Sequence, residues 1–163
     1  MIEVINAEEV GFNNHEIKNY LDKMDSKGSF IVDQLVYYPY FFFEYTLERK
    51  SFPRPTGAMV GCTVDGINGI GSLIDGSPKF KKKQIDPQNI IQKKLGSFEV
   101  SEISKDFLYD SISYKLKVLS MPKLTLTKKE VFYRPYWIAE GRKHSSDRFL
   151  LTVDAVTGKY HPL

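Results

Sequence analysis

The sequence predicts an α+β fold in which a helix followed by an antiparallel hairpin occurs twice. Two stretches, VYYPYFFFEY at 36–45 and VFYRPYWIAE at 131–140, share proline, tyrosine and glutamate when they are aligned on the proline. Downstream, TVDGING at 63–69 and TVDAVTG at 152–158 share four of seven residues. Because both matches occur in the same order, we interpret 1–78 and 79–163 as two tandem α+β units that share one core.

Each predicted unit contains a strand, a loop, a strand, a turn and a third strand. In the first unit Phe41, Phe43 and Tyr45 fall on one face of a pattern with period two, which is typical of a strand with one face in a core. Trp137 and Ala139 take the same positions in the second unit. High aromatic content, 13% of the chain, also favours strands and a well-filled core.

The two prolines need a special place, because proline has no N–H to donate to a neighbouring strand. We therefore expect Pro39 and Pro135 at a strand start, an edge or a bulge. The aromatic residue after each proline, Tyr40 or Tyr136, would then be the first core anchor, and a second aromatic of the motif, Phe41 or Trp137, follows it.

The second strand of each unit is predicted to close in a turn. Asp65 and Asp154 are suited to accept backbone N–H groups in an Asx turn, and Gly69 and Gly158 supply the positive φ that such turns need. The third strands are predicted directly afterwards, over 70–75 and 159–163.

Helices are predicted before each hairpin. Apolar residues at helical spacing predict a helix over 15–24, with Ile17, Tyr20, Leu21 and Met24 on its apolar face and Asn14 as its N-cap. A proline at the first helical position and Gly96 as the C-cap predict a second helix within 86–96. A third is predicted from 101 to 118, and its end, 114–119, fits either a helix or a strand. The lysine-rich segment DGSPKFKKKQIDP is expected to link the two units.

Composition excludes several classes of protein. Apolar residues make up 42% and charged residues 26% of the 163 residues, which is typical of a globular protein. A single cysteine excludes an internal disulfide and any multi-cysteine metal site. Neither a leader pattern nor an apolar run long enough for a bilayer is present, so we expect a cytoplasmic protein without a membrane span.

The net charge of +3 is unevenly distributed along the sequence. Residues 1–78 carry six Lys and Arg against eleven Asp and Glu, whereas 79–163 carry seventeen against nine. This asymmetry indicates either an anionic partner for the basic half or attraction between the two halves.

The ending Val153-Asp154-Ala155-Val156-Thr157-Gly158, after an aromatic-Pro-Tyr-aromatic motif, resembles two groups of proteins. One group is uncharacterised bacterial proteins with a YPYW … VDGxTG motif, and the other is PepSY-like domains, in which a helix packs on antiparallel strands. The resemblance covers the sheet portion of each unit, and 64–69 fits it with Asn68 in place of threonine. It implies a PepSY- or cystatin-like sheet and a domain that binds or restrains other proteins, and it implies no catalytic residue.

The hairpin tips are the main candidate binding site, because long loops on a sheet scaffold commonly carry function. Both tips begin Arg-Lys, and the candidate residues are Arg49, Lys50, Phe52, Arg54, Arg142, Lys143, His144 and Arg148. We expect a non-enzymatic module that binds or inhibits another protein. The alternative is an anion or nucleic-acid site on the basic half, although no nucleic-acid-binding motif is present. An exposed edge strand would also permit a homodimer.

A third hypothesis is a small hydrolase. It would use Cys62 as a nucleophile with a histidine, or Glu44 and Glu140 as a pair of carboxylates. Against it, Cys62 alternates in phase with buried strand positions, and the two glutamates are explained equally well as strand residues that contact solvent or a cation. The histidines at 15, 144 and 161 are scattered, so the sequence predicts neither a metal nor a cofactor.

Overall fold

A computed structural model describes residues 2–25, 28–48, 58–116, 122–143 and 147–162. The elements are, in chain order, β1 (Glu3–Glu8), α1 (Asn14–Met24), β2 (Gly28–Glu48), β3 (Ala58–Asp65), β4 (Gly71–Ile74), β5 (Phe80–Ile85), a 3₁₀ turn (Pro87–Asn89), α2 (Ser97–Leu116), β6 (Lys123–Lys143), β7 (Asp147–Asp154) and β8 (Tyr160–Pro162). The predicted α+β class is confirmed. The chain divides into two compact units, which we name the α1 unit and the α2 unit after their helices.

The α1 unit consists of Met1–Tyr38, Lys79–Ile91 and Tyr133–Leu163. Within it β1 pairs with β5, β6 with β7 and β7 with β8, all antiparallel, and β1 meets β6 in parallel. One face of α1 is apolar, so the helix packs on the strands and buries Ile17 and Leu21. The core that they join contains Phe30, Val32, Ala139, Leu151 and Val153.

The α2 unit consists of Pro39–Pro78 and Gln92–Phe132. In this unit β3 pairs antiparallel with both β2 and β4. The predicted period-two face of β2 is buried against α2, and its aromatic rings stack at centroid distances of 6.3 Å between Phe41 and Phe43 and 6.3 Å between Phe43 and Tyr45. The rest of this core consists of Cys62, Val64, Val100 and Leu108.

Each unit combines parts of both sequence halves. Helix α1 lies in 1–78 but packs with β6 and β7, whereas α2 lies in 79–163 but packs with β2 and β3. The α1 unit therefore holds twelve Lys and Arg against eleven Asp and Glu, and the α2 unit eleven against nine. The two units have net charges of +1 and +2, so neither keeps the charge asymmetry of the sequence halves. This favours attraction between the two halves as the cause of that asymmetry.

The placement of the two prolines differs from the prediction. Pro39 and Pro135 lie in the middle of the 21-residue strands β2 and β6, which have neighbours on both sides. The expectation of a strand start, edge or bulge was therefore wrong. What the prolines do mark is the residue just before hairpin pairing begins, because the register of β2 with β3 begins at Tyr40 and that of β6 with β7 at Tyr136.

A proline is tolerated there because its missing donor is not needed. The carbonyl of Pro39 accepts the N–H of Gly66 at 3.0 Å, and in a regular antiparallel pair the N–H of residue 39 would return a bond to the carbonyl of Gly66. That carbonyl instead accepts from the N–H groups of Lys94 at 3.0 Å and Leu95 at 3.1 Å. The carbonyl of Gly66 is therefore not left without a donor, so the usual cost of a mid-strand proline is avoided at Pro39.

The helix predicted within 86–96 was also wrong. Only the 3₁₀ turn forms, with Asp86 as its N-cap, and the chain then runs extended because Ile90 bridges to Tyr37 and the N–H of Ile91 donates to the carbonyl of Tyr37 at 2.9 Å. Gly96 does not end a helix but precedes α2, since its carbonyl accepts the N–H of Val100 at 3.1 Å.

The other boundaries are close to those predicted. Helix α1 has Asn13 rather than Asn14 as its N-cap, and Asn13 and Glu16 form a capping box. Helix α2 begins four residues before the predicted start at 101. The third strands form as β4 and β8, and the segment expected to be a linker contains strand β5.

Candidate functional site: an open groove in the α1 unit

The site is built on a turn that occurs in both units. Oδ1 of Asp154 accepts the N–H groups of Val156 at 2.8 Å and Thr157 at 3.2 Å, and Gly158 has a φ of 79°. In the α2 unit Asp65 accepts from Ile67 and Asn68 at 2.8 and 3.1 Å, and Gly69 has a φ of 76°. Each turn directs the chain into a third strand, β8 or β4.

The segment that precedes each helix is attached to the residue after the turn aspartate. In the α1 unit the N–H groups of Gly11 and Phe12 both donate to the carbonyl of Ala155 at 2.9 Å, as those of Lys94 and Leu95 do to Gly66 in the α2 unit. Within each unit this fixes the start of the helix beside the turn. The matching bonds make Phe12 the counterpart of Leu95, and counting along the helices makes Tyr20 the counterpart of Ile103.

In the α1 unit, helix α1 and strand β8 leave an open groove between them. Its volume is about 590 Å³, and its lining residues are Phe12, Glu16, Ile17, Tyr20, Thr157, Gly158, Lys159, Tyr160 and His161. Three aromatic side chains in this lining remain substantially exposed, at 37% for Phe12, 48% for Tyr20 and 39% for Tyr160. A concave, largely aromatic surface with a few charged groups at its margin is typical of a binding site.

In the α2 unit the corresponding space is filled by the protein's own side chains. Gly71 stands where β8 has Tyr160, and a Cβ on Gly71 would lie 2.6 Å from Cγ of Phe107, whose ring occupies that position. Beside it, a Cβ on Gly69 would lie 3.1 Å from Cδ1 of Ile103 and 3.3 Å from Cδ1 of Leu95. Ile103, Leu95 and Phe107 all pack against the core of this unit.

Two contacts hold the groove of the α1 unit in shape. Nε1 of Trp137 donates to the carbonyl of Phe12 at 2.8 Å and so fixes the segment before α1. On the other side, the Arg134 guanidinium donates to Asp154 Oδ2 at 2.9 Å from Nε and to both oxygens of Glu8 at 3.0 Å from one terminal nitrogen. These bonds anchor the turn that leads into β8.

Arg134, Glu8 and Asp154 form an ion-pair network whose role is structural. Desolvation by burial raises the pKa of Glu8 above its ordinary value of 4.5, although the charge of Arg134 lowers it again. Hydrogen bonds to Asp154 and the charge of Glu8 raise the pKa of Arg134 despite its burial. Because every charge has a bonded partner and the other oxygen of Asp154 holds the turn, the network positions the backbone rather than a reacting group.

The predicted tip residues fall into two groups. Arg49, Lys50, Phe52, Arg54 and His144 lie outside the described residues. At the other tip Nε of Arg148 lies 2.9 Å from Glu140, a terminal nitrogen of Arg142 lies 3.9 Å from the same carboxylate, and Nζ of Lys143 lies 3.3 Å from Asp25. These three cations therefore already have partners within their unit, in exposed pairs that contribute little stability and exchange readily.

The residues of the hydrolase hypothesis have ordinary structural roles. Cys62 is fully buried, and desolvation raises the pKa of its thiol to about 12, so it is neither accessible nor ionised at neutral pH. Glu44 accepts a hydrogen bond from Thr127 at 3.0 Å, whereas Glu140 is bound to Arg148. Among the described residues, no three His, Cys, Asp or Glu side chains form a group that would hold a metal ion.

The sequence did not predict the groove. It placed Tyr20 and Met24 on the apolar face of α1 with Ile17 and Leu21, and both are about half exposed, at 48% and 49%. The sequence did contain one indication, because Tyr160 follows its turn glycine, Gly158, at the same distance as Gly71 follows Gly69 in the other unit.

No protein-family model, no curated protein and no solved structure matches this chain. In the part of the chain that the structure describes, no helix is both long and apolar enough to cross a membrane.

Proposed function

We propose that the protein is a non-enzymatic module that binds an apolar segment of another protein in the groove between α1 and β8. The observation that carries this proposal is the contrast between the two units: the same turn and helix start lead to a filled space in one and an aromatic-lined groove in the other. Tyr20 and Tyr160 expose large rings at no evident benefit to the fold, which is the usual mark of a contact surface.

The chemistry of the lining indicates the ligand class. Phe12, Tyr20 and Tyr160 provide apolar area together with hydroxyl groups, a combination that is enriched where proteins bind one another. Strand β8 pairs with β7 alone among the described strands, so its other edge offers main-chain groups to an extended ligand. A partner segment with a large apolar side chain for the groove fits both features.

The test uses a library of twelve-residue peptides displayed on phage and selected on the immobilised protein. Peptides that occupy the groove are expected to carry aromatic or large aliphatic residues, and Tyr20→Ala with Tyr160→Ala should weaken them at least tenfold. The matched control is Tyr114→Ala, because Tyr114 is 88% exposed on α2, and it should leave binding unchanged. Selected peptides that bind the double variant as tightly as the original protein would refute the proposal.

We also propose that the chain is a tandem duplication with a PepSY- or cystatin-like arrangement of helix and antiparallel strands. Support comes from bonds that recur at equivalent positions. The N–H of Asp65 donates to Ile70 at 2.9 Å and that of Asp154 to Lys159 at 2.8 Å, and the N–H of Ala155 donates to Pro135 as that of Gly66 does to Pro39. Such agreement between distant segments is what a duplicated ancestor would leave.

The other functions have less support. A nucleic-acid or other polyanion site spread over the basic half would require a broad positive field, and the two units carry net charges of only +1 and +2. A hydrolase would require an accessible nucleophile, and the thiol of Cys62 is buried.

A further inference from the structure

Strand β5 presents a row of unneutralised lysines at the edge of the α1 unit. The segment Lys79-Phe80-Lys81-Lys82-Lys83 places four positive charges within five residues. Nζ of Lys83 lies 3.1 Å from Glu9, whereas Lys79, Lys81 and Lys82 are exposed and have no carboxylate within 4.0 Å among the described residues. Two free cations therefore lie on this short strand, and a third, Lys79, directly precedes it.

Three carboxylates close to β5 are already engaged, and a fourth, Glu3, lies opposite Ile85 at the far end of the strand. Glu8 is bound to Arg134, Glu9 to Lys83, and Asp86 accepts the N–H of Gln88 at 3.0 Å. The residues directly opposite Lys81 and Lys82 on β1 are uncharged, since Lys81 pairs with Ala7 and Lys82 with Asn6. The fold itself thus leaves this charge uncompensated.

The same strand has an open edge. Among the described strands β5 pairs only with β1, so one side of its backbone has no strand partner. Lysines on such an edge repel a second copy of the same strand, which protects the protein from edge-to-edge aggregation. The repulsion is selective, because a strand of opposite charge would meet both free main-chain groups and free cations.

We propose that the outer edge of β5 binds an acidic, extended segment of another protein by strand addition. Directly opposed residues of paired strands have Cβ atoms about 4.5–5.5 Å apart, so an acidic side chain facing each free lysine is within reach of an ion pair. Read antiparallel, carboxylates opposite Lys82, Lys81 and Lys79 give the pattern Glu-Glu-x-Glu, with x opposite Phe80. Main-chain bonds supply the affinity, and the three charges select the partner.

A nucleic acid fits this edge less well. Polyanions are bound by a broad positive field that follows many phosphates, and the net charge of the α1 unit is only +1. A peptide strand, unlike a nucleic acid, also pairs with the N–H and carbonyl groups of an edge strand.

The experiment measures binding of the fluorescein-labelled peptide Thr-Glu-Glu-Val-Glu-Thr, and of its reversed sequence, by fluorescence anisotropy. We expect one of the two to bind, and replacement of its Glu residues by Gln to weaken binding at least tenfold. Lys81→Glu with Lys82→Glu should also weaken it at least tenfold, whereas Lys123→Glu, an exposed lysine on β6, should change it less than twofold. Unchanged circular dichroism and Tm would show that the variants are folded.

Two further probes separate strand addition from simple charge attraction. Alternate N–H groups of a strand point to opposite edges, so methylating one alternate set of peptide nitrogens should abolish binding and methylating the other set should not. Equal binding by both methylated peptides, tighter binding of an oligothymidylate than of the peptide, or no binding of either sequence would overturn the proposal. The Tyr20→Ala variant should bind these peptides normally, which keeps this result separate from that of the groove.

Discussion

The α1 and α2 units use the same backbone scheme and fill it with side chains from different elements. Where the α2 unit has Phe107 on its helix and Gly71 on its third strand, the α1 unit has Met24 and Tyr160. The first pair brings an aromatic ring onto a glycine and closes the space. The second pair leaves Met24 49% and Tyr160 39% exposed, and a groove between the helix and the strand.

The two units also differ in which strand of the hairpin carries a large aromatic ring. Tyr45 pairs in register with Val60, and the equivalent pair in the α1 unit is Gly141 with Phe149. The large ring comes from β2 in one unit and from β7 in the other, and the residue opposite it is small in each case. The backbone scheme therefore sets the available volume but not which strand fills it, as expected for close-packed interiors.

The largest effect is expected from a methyl group at Gly71. Its Cβ would lie 2.6 Å from Cγ of Phe107, an atom close to the helix backbone that has little freedom to move, so Gly71→Ala should lower the free energy of unfolding by about 3 kcal/mol. Tyr160→Ala, at the equivalent place in the open unit, should cost less than about 1 kcal/mol because the side chain is partly exposed. Urea denaturation measures both. Equal costs would show that the two third strands are not packed differently.

The control for Gly71→Ala is Gly96→Ala, since nothing lies within 4 Å of a Cβ at that position. Glycine to alanine reduces the entropy of the unfolded chain, whereas alanine is a poorer N-cap than glycine, so the two effects oppose each other and the net change at Gly96 should stay below about 1 kcal/mol. A large loss at both glycines would point to backbone conformation, not to the ring of Phe107.

A double-mutant cycle tests whether the ring of Phe149 on β7 fills the space left by Gly141 on β6. A Cβ at Gly141 would overlap Cζ of Phe149, the far end of a side chain that can move aside, so Gly141→Ala should cost about 2 kcal/mol. Phe149→Val removes that ring, and the double variant should be at least about 1 kcal/mol more stable than the sum of the single changes predicts. If the free-energy changes of the two single substitutions simply add, the ring of Phe149 does not occupy the space beside Gly141.

The parts of the fold that the sequence predicted depend on neighbouring residues. The turns at Asp65 and Asp154 were predictable because an acceptor side chain and a glycine a few residues later are enough to define them. The absence of a helix within 86–96 could not be predicted in this way. There the local proline pattern is outweighed by the pairing of Ile90 with Tyr37, which is distant in sequence. The groove was missed for the same reason, since the exposure of Tyr20 depends on what stands opposite it on β8.

The buried thiol of Cys62 should make the free energy of unfolding depend on pH. The thiol has an ordinary pKa of 9.0, and burial raises it to about 12. Between these values only the unfolded protein loses the proton, so the free energy of unfolding should fall as the pH rises, by about 1.4 kcal/mol at pH 10 from this group alone. Tyrosines titrate in the same range, so the measured quantity is the difference in pH dependence between the original protein and Cys62→Ala.

The same residue gives a direct test of accessibility. Iodoacetamide at pH 8 should alkylate native Cys62 at least about 100-fold more slowly than the urea-unfolded chain, because the thiolate is the reactive form. Rapid alkylation of the native protein would return the thiol to the list of candidate nucleophiles.

The smallest effects are expected at the helix starts, where the units also differ. Helix α1 has 11 residues and a capping box at Asn13, whereas α2 has 20 residues and begins after Gly96 without a capping side chain from that position. Asn13→Ala should lower the free energy of unfolding by about 1 kcal/mol, and Gly96→Asn should raise it by only a few tenths. A short helix gains fewer internal hydrogen bonds to offset nucleation, so the loss in α1 should exceed the gain in α2. Thermal denaturation of both variants measures the difference, and a larger change at Gly96 would mean that the start of α2, not that of α1, limits the stability of its unit.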